Sequence, residues 1–282
     1  MKYVLTLAFS SLVASLLAST VYAAAPAPLH SGFDDNAPPY AMPKMDGTDE
    51  GMTIDMSNEI AKRLGRPITL APMGFAALIP ALQAGTFDML SVPLMATTER
   101  SQAFLLTEGI WNADLSFLQP SGAAPITDYA QLKGKTIATN KGTAYEQWAR
   151  AKTPQYGWTV ESYGTLSDAA QAVQAGRAAA ALLGTTTALF MAKHNPAVKV
   201  SDLQVKTGQY YAYAIPKRDP ALRAQIDAAI ECIKADGTAA KIYQKWVGVM
   251  PLAGSIEVTP QPGVGPVGFA NYDPTPHQMT CH

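Results

Sequence analysis

The sequence predicts an α/β fold built as two related units. Strand-like apolar runs alternate with segments of helical periodicity along most of the chain. A short motif, in which a helix ends in Gln-Ala-Gly and an apolar strand follows, occurs at Gln83–Gly85 and again at Gln174–Gly176. Helices that end in glycine are common, so the repeat alone leaves coincidence open. Together, the alternation and the repeat favour one α/β lobe in each half.

The elements of the first half follow from periodicity and from their glycine boundaries. Apolar residues at helical spacing define two helices, and a glycine ends each of them. Short apolar or β-branched runs then define two strands. In chain order these are helix Thr53–Leu64, strand Ile68–Leu70, helix Ala76–Ala84 and strand Phe87–Val92.

The second half repeats this pattern and ends in a long helical stretch. Its predicted elements are strand Lys135–Thr139, helix Ala144–Ala151, helix Ser167–Ala175, strand Ala178–Leu183 and the stretch Ile226–Trp246, interrupted at Asp236-Gly237. Between the halves, residues 119–125 are rich in Pro, Gly, Ala and Ser, which suits a crossover between lobes. Residues 251–282 are dense in Pro and Gly, so we expect an extended tail that packs on the first lobe.

Composition and the N-terminus limit the class of protein. Hydrophobic residues make up 48% of the 282 positions, the net charge is −1, and no basic run suggests a nucleic-acid partner. Lys2, the apolar run Val4–Leu17 and Val21-Tyr22-Ala23 have the order of a secretory signal, so cleavage near Ala23 and export are expected. No histidine has zinc spacing with another ligand, and we expect neither a metal nor a cofactor.

The two cysteines of the chain, Cys232 and Cys281, fit a disulfide in an exported protein. The bridge would pin the tail and close a loop of about 50 residues, a stabilisation on the order of 4 kcal/mol in the chain-entropy model. Two free thiols are the alternative.

Two strand–turn–helix corners offer groups that bind an anion. In Ala96–Arg100, Thr97 or Thr98 can cap a helix, and the Arg100 guanidinium can grip a carboxylate with two hydrogen bonds. A surface arginine near a cap is the alternative. In Thr139–Ala144, a threonine and backbone N–H groups again stand at a helix start. One corner in each half predicts an anion enclosed across a cleft by paired hydrogen bonds.

At these motifs the chain resembles the extracellular solute-binding proteins of family 3, the polar-amino-acid receptors of ABC importers. The matching stretches run in family order: Gly51–Gly65, Phe75–Asp88, Thr97–Arg100 with Phe104, Leu132–Ala138, Gly142-Thr143, Ala235–Thr238 and Lys241–Trp246. The resemblance implies the periplasmic-binding-protein type II fold, with two lobes, a two-stranded hinge and ligand-induced closure. It places the first lobe at residues 26–117 and 213–250 and the second lobe at residues 118–212. It also implies a periplasmic monomer that delivers a small carboxylate ligand to the membrane permease of an ABC importer.

The resemblance also assigns roles to individual positions. Arg100 matches the arginine that binds the ligand carboxylate, and Thr143 matches the residue that holds it from the second lobe. Phe75 matches an aromatic that packs on the ligand, and Asp34 matches an acid near the ligand in some members. Asn140 belongs to the same corner as Thr143 and is expected to line the site.

The chain departs from the family pattern at three positions. Family members usually have an aromatic at Ala37, a hydroxyl residue at Met95 and, at Gly184, an aspartate that pairs with the ligand ammonium. An ammonium buried without a partner costs several kcal/mol. Either Asp34 takes over this pairing, or the ligand is not an ordinary α-amino acid.

Three functions fit these features. The leading hypothesis is a non-enzymatic receptor for an organic acid or an amino-acid-like compound, without catalytic residues. The alternative is an enzyme on the same fold, because the family resembles periplasmic dehydratases that act on cyclohexadienyl acids and need a proton donor. Asp34 is the plausible acid for that chemistry. A sensory or accessory ligand-binding protein is the third possibility.

Overall fold

A computed structural model of the chain describes residues 26–275, 279 and 281. The expected signal segment, residues 1–23, lies outside the described residues. Within the described part of the chain, no helix is both long enough and apolar enough to cross a membrane.

Strands and helices alternate as the sequence predicts. The strands are β1 Leu29–Phe33, β2 Met42–Pro43, β3 Asp49–Glu50, β4 Ile68–Pro72, β5 Met89–Met95, β6 Leu105–Leu106, β7 Trp111–Asn112, β8 Leu115–Pro120, β9 Thr136–Asn140, β10 Thr159–Tyr163, β11 Ala180–Gly184, β12 Val198–Val205 and β13 Tyr210–Ile215. The helices are α1 Met52–Leu64, α2 Phe75–Gln83, α3 Thr98–Ala103, α4 Ala144–Tyr156, α5 Leu166–Gln174, α6 Thr185–His194, α7 Pro220–Ala235 and α8 Thr238–Val247, with a short 3₁₀ helix at Tyr129–Leu132.

The strands form one large sheet in each lobe, with related topologies. The first sheet has the order β4-β1-β5-β13-β6, and the second has the order β10-β9-β11-β8-β12. In each sheet, three parallel strands are followed by an antiparallel strand that arrives from the other lobe, β13 in the first and β8 in the second. Both lobes are therefore α/β units, as predicted.

The repeated Gln-Ala-Gly motif occupies equivalent places in the two lobes. Gly85 follows α2 and precedes β5, and Gly176 follows α5 and precedes β11. Both glycines adopt positive φ, +80° and +70°, a conformation that costs other residues free energy. In each case the next residue donates its N–H back into the helix, from Thr86 to Ala81 O and from Arg177 to Ala172 O. The two turns therefore share the same backbone geometry, and each connects a helix to the next strand of its sheet.

Two short segments connect the lobes. The chain leaves the first sheet after β7 and enters the second at β8, so the first crossing lies at residues 113–114, before the Pro- and Gly-rich residues 119–125 that the sequence suggested. It returns at residues 206–209, a few residues before the expected boundary at 213. The Asp114 carboxylate joins the crossings, because it accepts hydrogen bonds from Thr207 N and Lys206 Nζ, both at 3.0 Å.

The Pro- and Gly-rich tail lies against the first lobe. Glu257 Oε1 accepts a hydrogen bond from Asn112 N at 2.8 Å, and Gln261 N donates to Glu108 Oε2 at 2.7 Å. Beneath it, the buried Lys234 Nζ lies 3.3 Å from Glu108 Oε1 and donates to Gly109 O at 2.6 Å. The predicted disulfide joins Cys232 of α7 to Cys281, 49 positions later.

Removing the disulfide should lower the stability of the protein. We expect Cys281→Ser to reduce the free energy of unfolding by up to about 4 kcal/mol, because the unfolded chain regains the freedom of a loop of roughly 50 residues. Urea unfolding followed by circular dichroism measures this change.

The matched control is the wild-type protein with and without a reductant. Reduction should destabilise the wild type to the level of Cys281→Ser and leave the variant unchanged, because Cys232 and Cys281 are the two cysteines of the chain. Equal stability of the oxidised wild type and the variant would contradict the stabilising role of the bridge.

Candidate functional site

A cavity lies between the lobes, where parallel strands of both sheets end. The first lobe contributes residues that follow β1 and residues at the end of β5, and the second contributes the ends of β9 and β11. In open α/β sheets, ligands bind outside the carboxyl ends of the strands because loops with free side chains and helix starts meet there. The position of the cavity therefore agrees with a binding site.

The seven residues that the sequence singled out all line this cavity. Asp34, Phe75, Met95 and Arg100 come from the first lobe, and Asn140, Thr143 and Gly184 come from the second. The structure thus brings together both anion corners, which lie about 40 residues apart in the chain. That these residues bind a ligand stays a prediction.

Arg100 is the central group of the cavity wall. Thr97 caps α3 and accepts a hydrogen bond from Arg100 N at 3.2 Å, so the cap predicted by the sequence sets the direction of the arginine. Arg100 Nη1 donates to Met95 O at 3.0 Å within the first lobe, and Nη2 donates to Gly142 O at 3.3 Å in the second. The side chain therefore spans the cleft.

The charge of Arg100 is buried without an acidic hydrogen-bond partner. The residue is 7% exposed, and its side-chain hydrogen bonds within the described chain go to backbone carbonyl oxygens. Burial lowers the pKa of the guanidinium to about 10, which still leaves it charged at neutral pH. A buried cation gains most from a carboxylate that supplies both charge and hydrogen bonds. The site is therefore suited to an anion.

Phe75 and Met95 shape the space around the guanidinium. The Phe75 ring lies 6.0 Å below the guanidinium carbon, at the limit of a cation–π contact. Met95, which stands where the family pattern has a hydroxyl residue, lines the cavity and makes this corner more apolar. Its carbonyl oxygen has a second role, because it anchors Arg100.

Thr143 holds the helix start rather than presenting a free hydroxyl. Its Oγ1 donates to Asn140 O at 2.6 Å and accepts from Glu146 N at 3.2 Å. The hydroxyl proton is therefore already used, which corrects the expectation that this hydroxyl is offered to an anion. Within the described residues, the N–H groups of Thr143 and Ala144 donate to no acceptor, so the backbone of this corner keeps its donors free.

Asn140 lines the cavity and carries an acceptor without a partner in the described part of the chain. Its Nδ2 donates to Tyr163 O at 3.3 Å and to Gly164 O at 2.9 Å, which fixes the orientation of the amide. Its Oδ1 is buried without a partner among the described residues. Because an unsatisfied buried acceptor is costly, this oxygen is suited to a donor on a ligand.

Asp34 brings an acid into the cavity. The residue is 4% exposed, and its Oδ1 accepts a hydrogen bond from Asn36 N at 3.1 Å. Burial, reinforced by the charge of Asp35, raises the pKa of the Asp34 carboxyl to about 6. Of the described residues that line the cavity, Asp34 alone carries a carboxyl group. It can therefore pair with a cation, or hold a proton in mildly acidic solution.

Several lining residues were missed or left unplaced by the sequence. Tyr145, Leu166 and Thr187 line the cavity, and Tyr145 could have been found because it follows Thr143 at a helix start. Two further tyrosines, Tyr40 and Tyr211, also line it. The register of β13 decides which tyrosine of the run 210–213 reaches the cleft, and the sequence does not show that register.

The family model of the bacterial extracellular solute-binding proteins, family 3, matches residues 29–249. The chain belongs to this family. As a member, it is a solute-binding protein, and the resemblance found in its motifs is confirmed. The tail after residue 249 lies beyond the matched region.

Curated relatives of this solute-binding protein are periplasmic proteins that bind amino acids. The lysine/arginine/ornithine-binding periplasmic protein of Escherichia coli strain K12 is 28% identical over 247 residues, which cover 85% of this chain and 95% of that protein. The histidine-binding periplasmic protein of Salmonella typhimurium strain LT2 is 28% identical over 253 residues, which cover 86% and 94%.

Solved structures confirm the two-lobed fold of the solute-binding protein. An ancestral arginine-binding protein bound to arginine superposes with a TM-score of 0.74 and 30% identity, over 79% of this chain and 99% of that chain. An ancestral amino acid-binding protein, described as a precursor of cyclohexadienyl dehydratase, superposes with a TM-score of 0.71 and 28% identity, over 78% and 95%.

Neutralising Asp34 should stabilise the ligand-free protein above pH 6. The folded state holds the Asp34 proton up to about pH 6, whereas the unfolded chain releases it near the ordinary aspartate pKa of 3.8. The folded protein therefore loses stability as pH rises through this window, on the order of 3 kcal/mol at 1.4 kcal/mol per unit. We expect Asp34→Asn to melt above the wild type at pH 8, with a smaller difference near pH 4.

Calorimetric melting from pH 4 to pH 8 measures this effect. Asp202→Asn is the matched control, because Asp202 is exposed and away from the cavity. A melting difference between Asp34→Asn and wild type that does not change with pH would contradict a buried, proton-holding Asp34.

Proposed function

We propose that this solute-binding protein is the periplasmic substrate-binding component of an ABC importer, and that it encloses a small amino-acid-like carboxylate between its lobes. The observation that carries the proposal is the buried Arg100 guanidinium, which reaches from Met95 O to Gly142 O across the cleft. A carboxylate at this place adds the missing counter-charge and ties the lobes together. Closing the lobes on it is then coupled to binding.

The periplasmic location and the permease partner rest on the relatives. The relatives named above are periplasmic binding proteins, and the N-terminal residues have the order of a secretory signal. We propose that the mature chain works as a monomer, because its cleft is complete within one chain. The ligands that the relatives' names give are basic amino acids, for which Asp34 offers a counter-charge in this chain.

The competing function is enzymatic turnover of a bound acid, and the buried carboxyl group of Asp34 favours it. A carboxyl group with a pKa of about 6 can donate a proton inside the cavity, and one neighbour is the precursor of a dehydratase. That neighbour is itself an amino acid-binding protein. We expect incubation with prephenate or arogenate to yield no product at catalytic rates, and measurable turnover would replace the receptor proposal.

Replacing Arg100 should abolish ligand binding. Native mass spectrometry of protein purified without refolding identifies any retained ligand, and a thermal-shift screen of amino acids and simple carboxylates ranks the others. We expect Arg100→Ala to weaken the best ligand at least about 30-fold, because removing one partner of a buried charge pair costs 2–5 kcal/mol. Calorimetric titration measures the affinity.

Two further variants control this experiment. Arg218→Ala removes an exposed arginine away from the cavity and should bind as the wild type does. Arg100→Lys keeps the charge but not the fork of donors, so an intermediate loss is expected. If Arg100→Ala retains the affinity of the wild type, the carboxylate is not held at this arginine.

A further inference from the structure

Gly184 and Tyr211 meet across the cleft, and their contact determines which polar groups one wall of the cavity presents to a ligand. A Cβ atom built on Gly184 would lie 2.5 Å from the hydroxyl oxygen of Tyr211, so a side chain at this position would require the tyrosine to move. Gly184 ends β11 in the second lobe, and Tyr211 belongs to β13 in the first. The tyrosine hydroxyl therefore occupies the space that a side chain at position 184 would take.

The Tyr211 hydroxyl is a neutral group with unused hydrogen-bonding capacity. The residue is 5% exposed and lines the cavity, and within the described chain its hydroxyl makes no hydrogen bond. Burial raises the pKa of the phenol, so it stays protonated, although the nearby charge of Arg100 acts in the opposite direction. A group that can both donate and accept thus lies beside the carboxylate clamp.

The second unused group, Asn140 Oδ1, is also neutral. It can accept a hydrogen bond from an N–H or O–H group, because both protons of its amide nitrogen are already committed to carbonyl oxygens. Tyr211 can donate to a ligand hydroxyl, and Asn140 Oδ1 can accept from one. They give an ammonium two dipoles but no negative charge.

The carboxylates near this wall do not change that balance. Asp114 acts on Tyr211, but it lies outside the cavity wall and is already paired with Lys206 at 3.0 Å. Asp34 lines the same cavity and its charge acts on Tyr145, whereas position 184 itself offers no carboxylate to the cavity. The part of the wall formed by Gly184, Tyr211 and Asn140 is therefore polar and uncharged.

We infer that Tyr211 and Gly184 set the specificity of the site, and that the cavity prefers carboxylates with a neutral hydroxyl or keto group at the 2-position over those with an ammonium. This inference rests on the proposed function, because it takes the carboxylate to be held at Arg100. It names the substrate class as 2-hydroxy and 2-oxo acids that otherwise resemble amino acids. Asp34 remains available for a cationic group at the far end of such a ligand.

The test compares matched acids that differ only at the 2-position. The pairs are L-leucine with L-2-hydroxyisocaproate, L-phenylalanine with L-3-phenyllactate, L-glutamate with L-2-hydroxyglutarate and L-arginine with L-argininic acid. Titration calorimetry at pH 7.5 gives the ratio of the two dissociation constants in each pair. We expect the wild type to bind the hydroxy acid at least tenfold more tightly in the pair that binds best.

Two variants test whether this ratio comes from Tyr211 and Gly184. Tyr211→Phe removes the hydroxyl and should reduce the preference at least fivefold. It also makes room at position 184, because a Cβ there would next meet ring carbons at 3.6 and 3.9 Å, an ordinary contact. Gly184→Asp combined with Tyr211→Phe should reverse the preference in favour of the amino acid. Tyr210→Phe is the control, because the Tyr210 hydroxyl donates to Val267 O in the tail, and it should leave the ratio unchanged.

The outcomes separate this inference from the proposed function. If the amino acid binds as tightly as the hydroxy acid in every pair, or if Tyr211→Phe leaves the ratio unchanged, the inference is wrong while the receptor function stands. If no acid binds, or binding survives Arg100→Ala, the carboxylate clamp is wrong and this inference is overturned with it. Melting curves of all variants show that they are folded, and Tyr211→Phe alone decides the matter if the double variant is not.

Discussion

The guanidinium of Arg100 is the interaction on which the site depends. This buried cation donates a hydrogen bond to one carbonyl oxygen in each lobe, so it links the two sides of the cleft. Backbone carbonyls accept hydrogen bonds from it but supply no counter-charge, so its positive charge is left for an anion to balance. The α3 cap, the carbonyl of Met95 and the Phe75 ring all act by holding this group in place.

The ligand-free protein carries a second costly group, the carboxyl of Asp34. A buried arginine and a buried aspartate, each without a charged partner in the described chain, lower the stability of the empty protein. Such costs are usual at binding sites, where they are relieved when the ligand arrives. On the proposed function, the same residues that weaken the empty cleft make the bound state more favourable by comparison.

The sequence predicted much of the fold because the elements depend on local patterns. Helix ends at Gly85 and Gly176, the cap at Thr97 and the apolar run of β11 are each encoded within a few residues. The crossings were misplaced because composition at residues 119–125 resembles a linker, whereas sheet pairing puts β8 in the second lobe from residue 115. Tyr211 and the committed hydroxyl of Thr143 depend on strand register and on hydrogen bonds, which no local pattern shows.

The C-terminal tail is attached to the first lobe, on one side of the hinge. Its described hydrogen bonds reach Asn112 just before one crossing and Tyr210 just after the other, and otherwise go to α3, α7 and the loop after β6, all in the first lobe. The hydrogen bonds of the tail therefore stop at both crossings and hold it on one lobe. Reducing the disulfide between Cys232 and Cys281 would therefore lower the resistance of the first lobe to unfolding, and neither cysteine lines the cavity between the lobes.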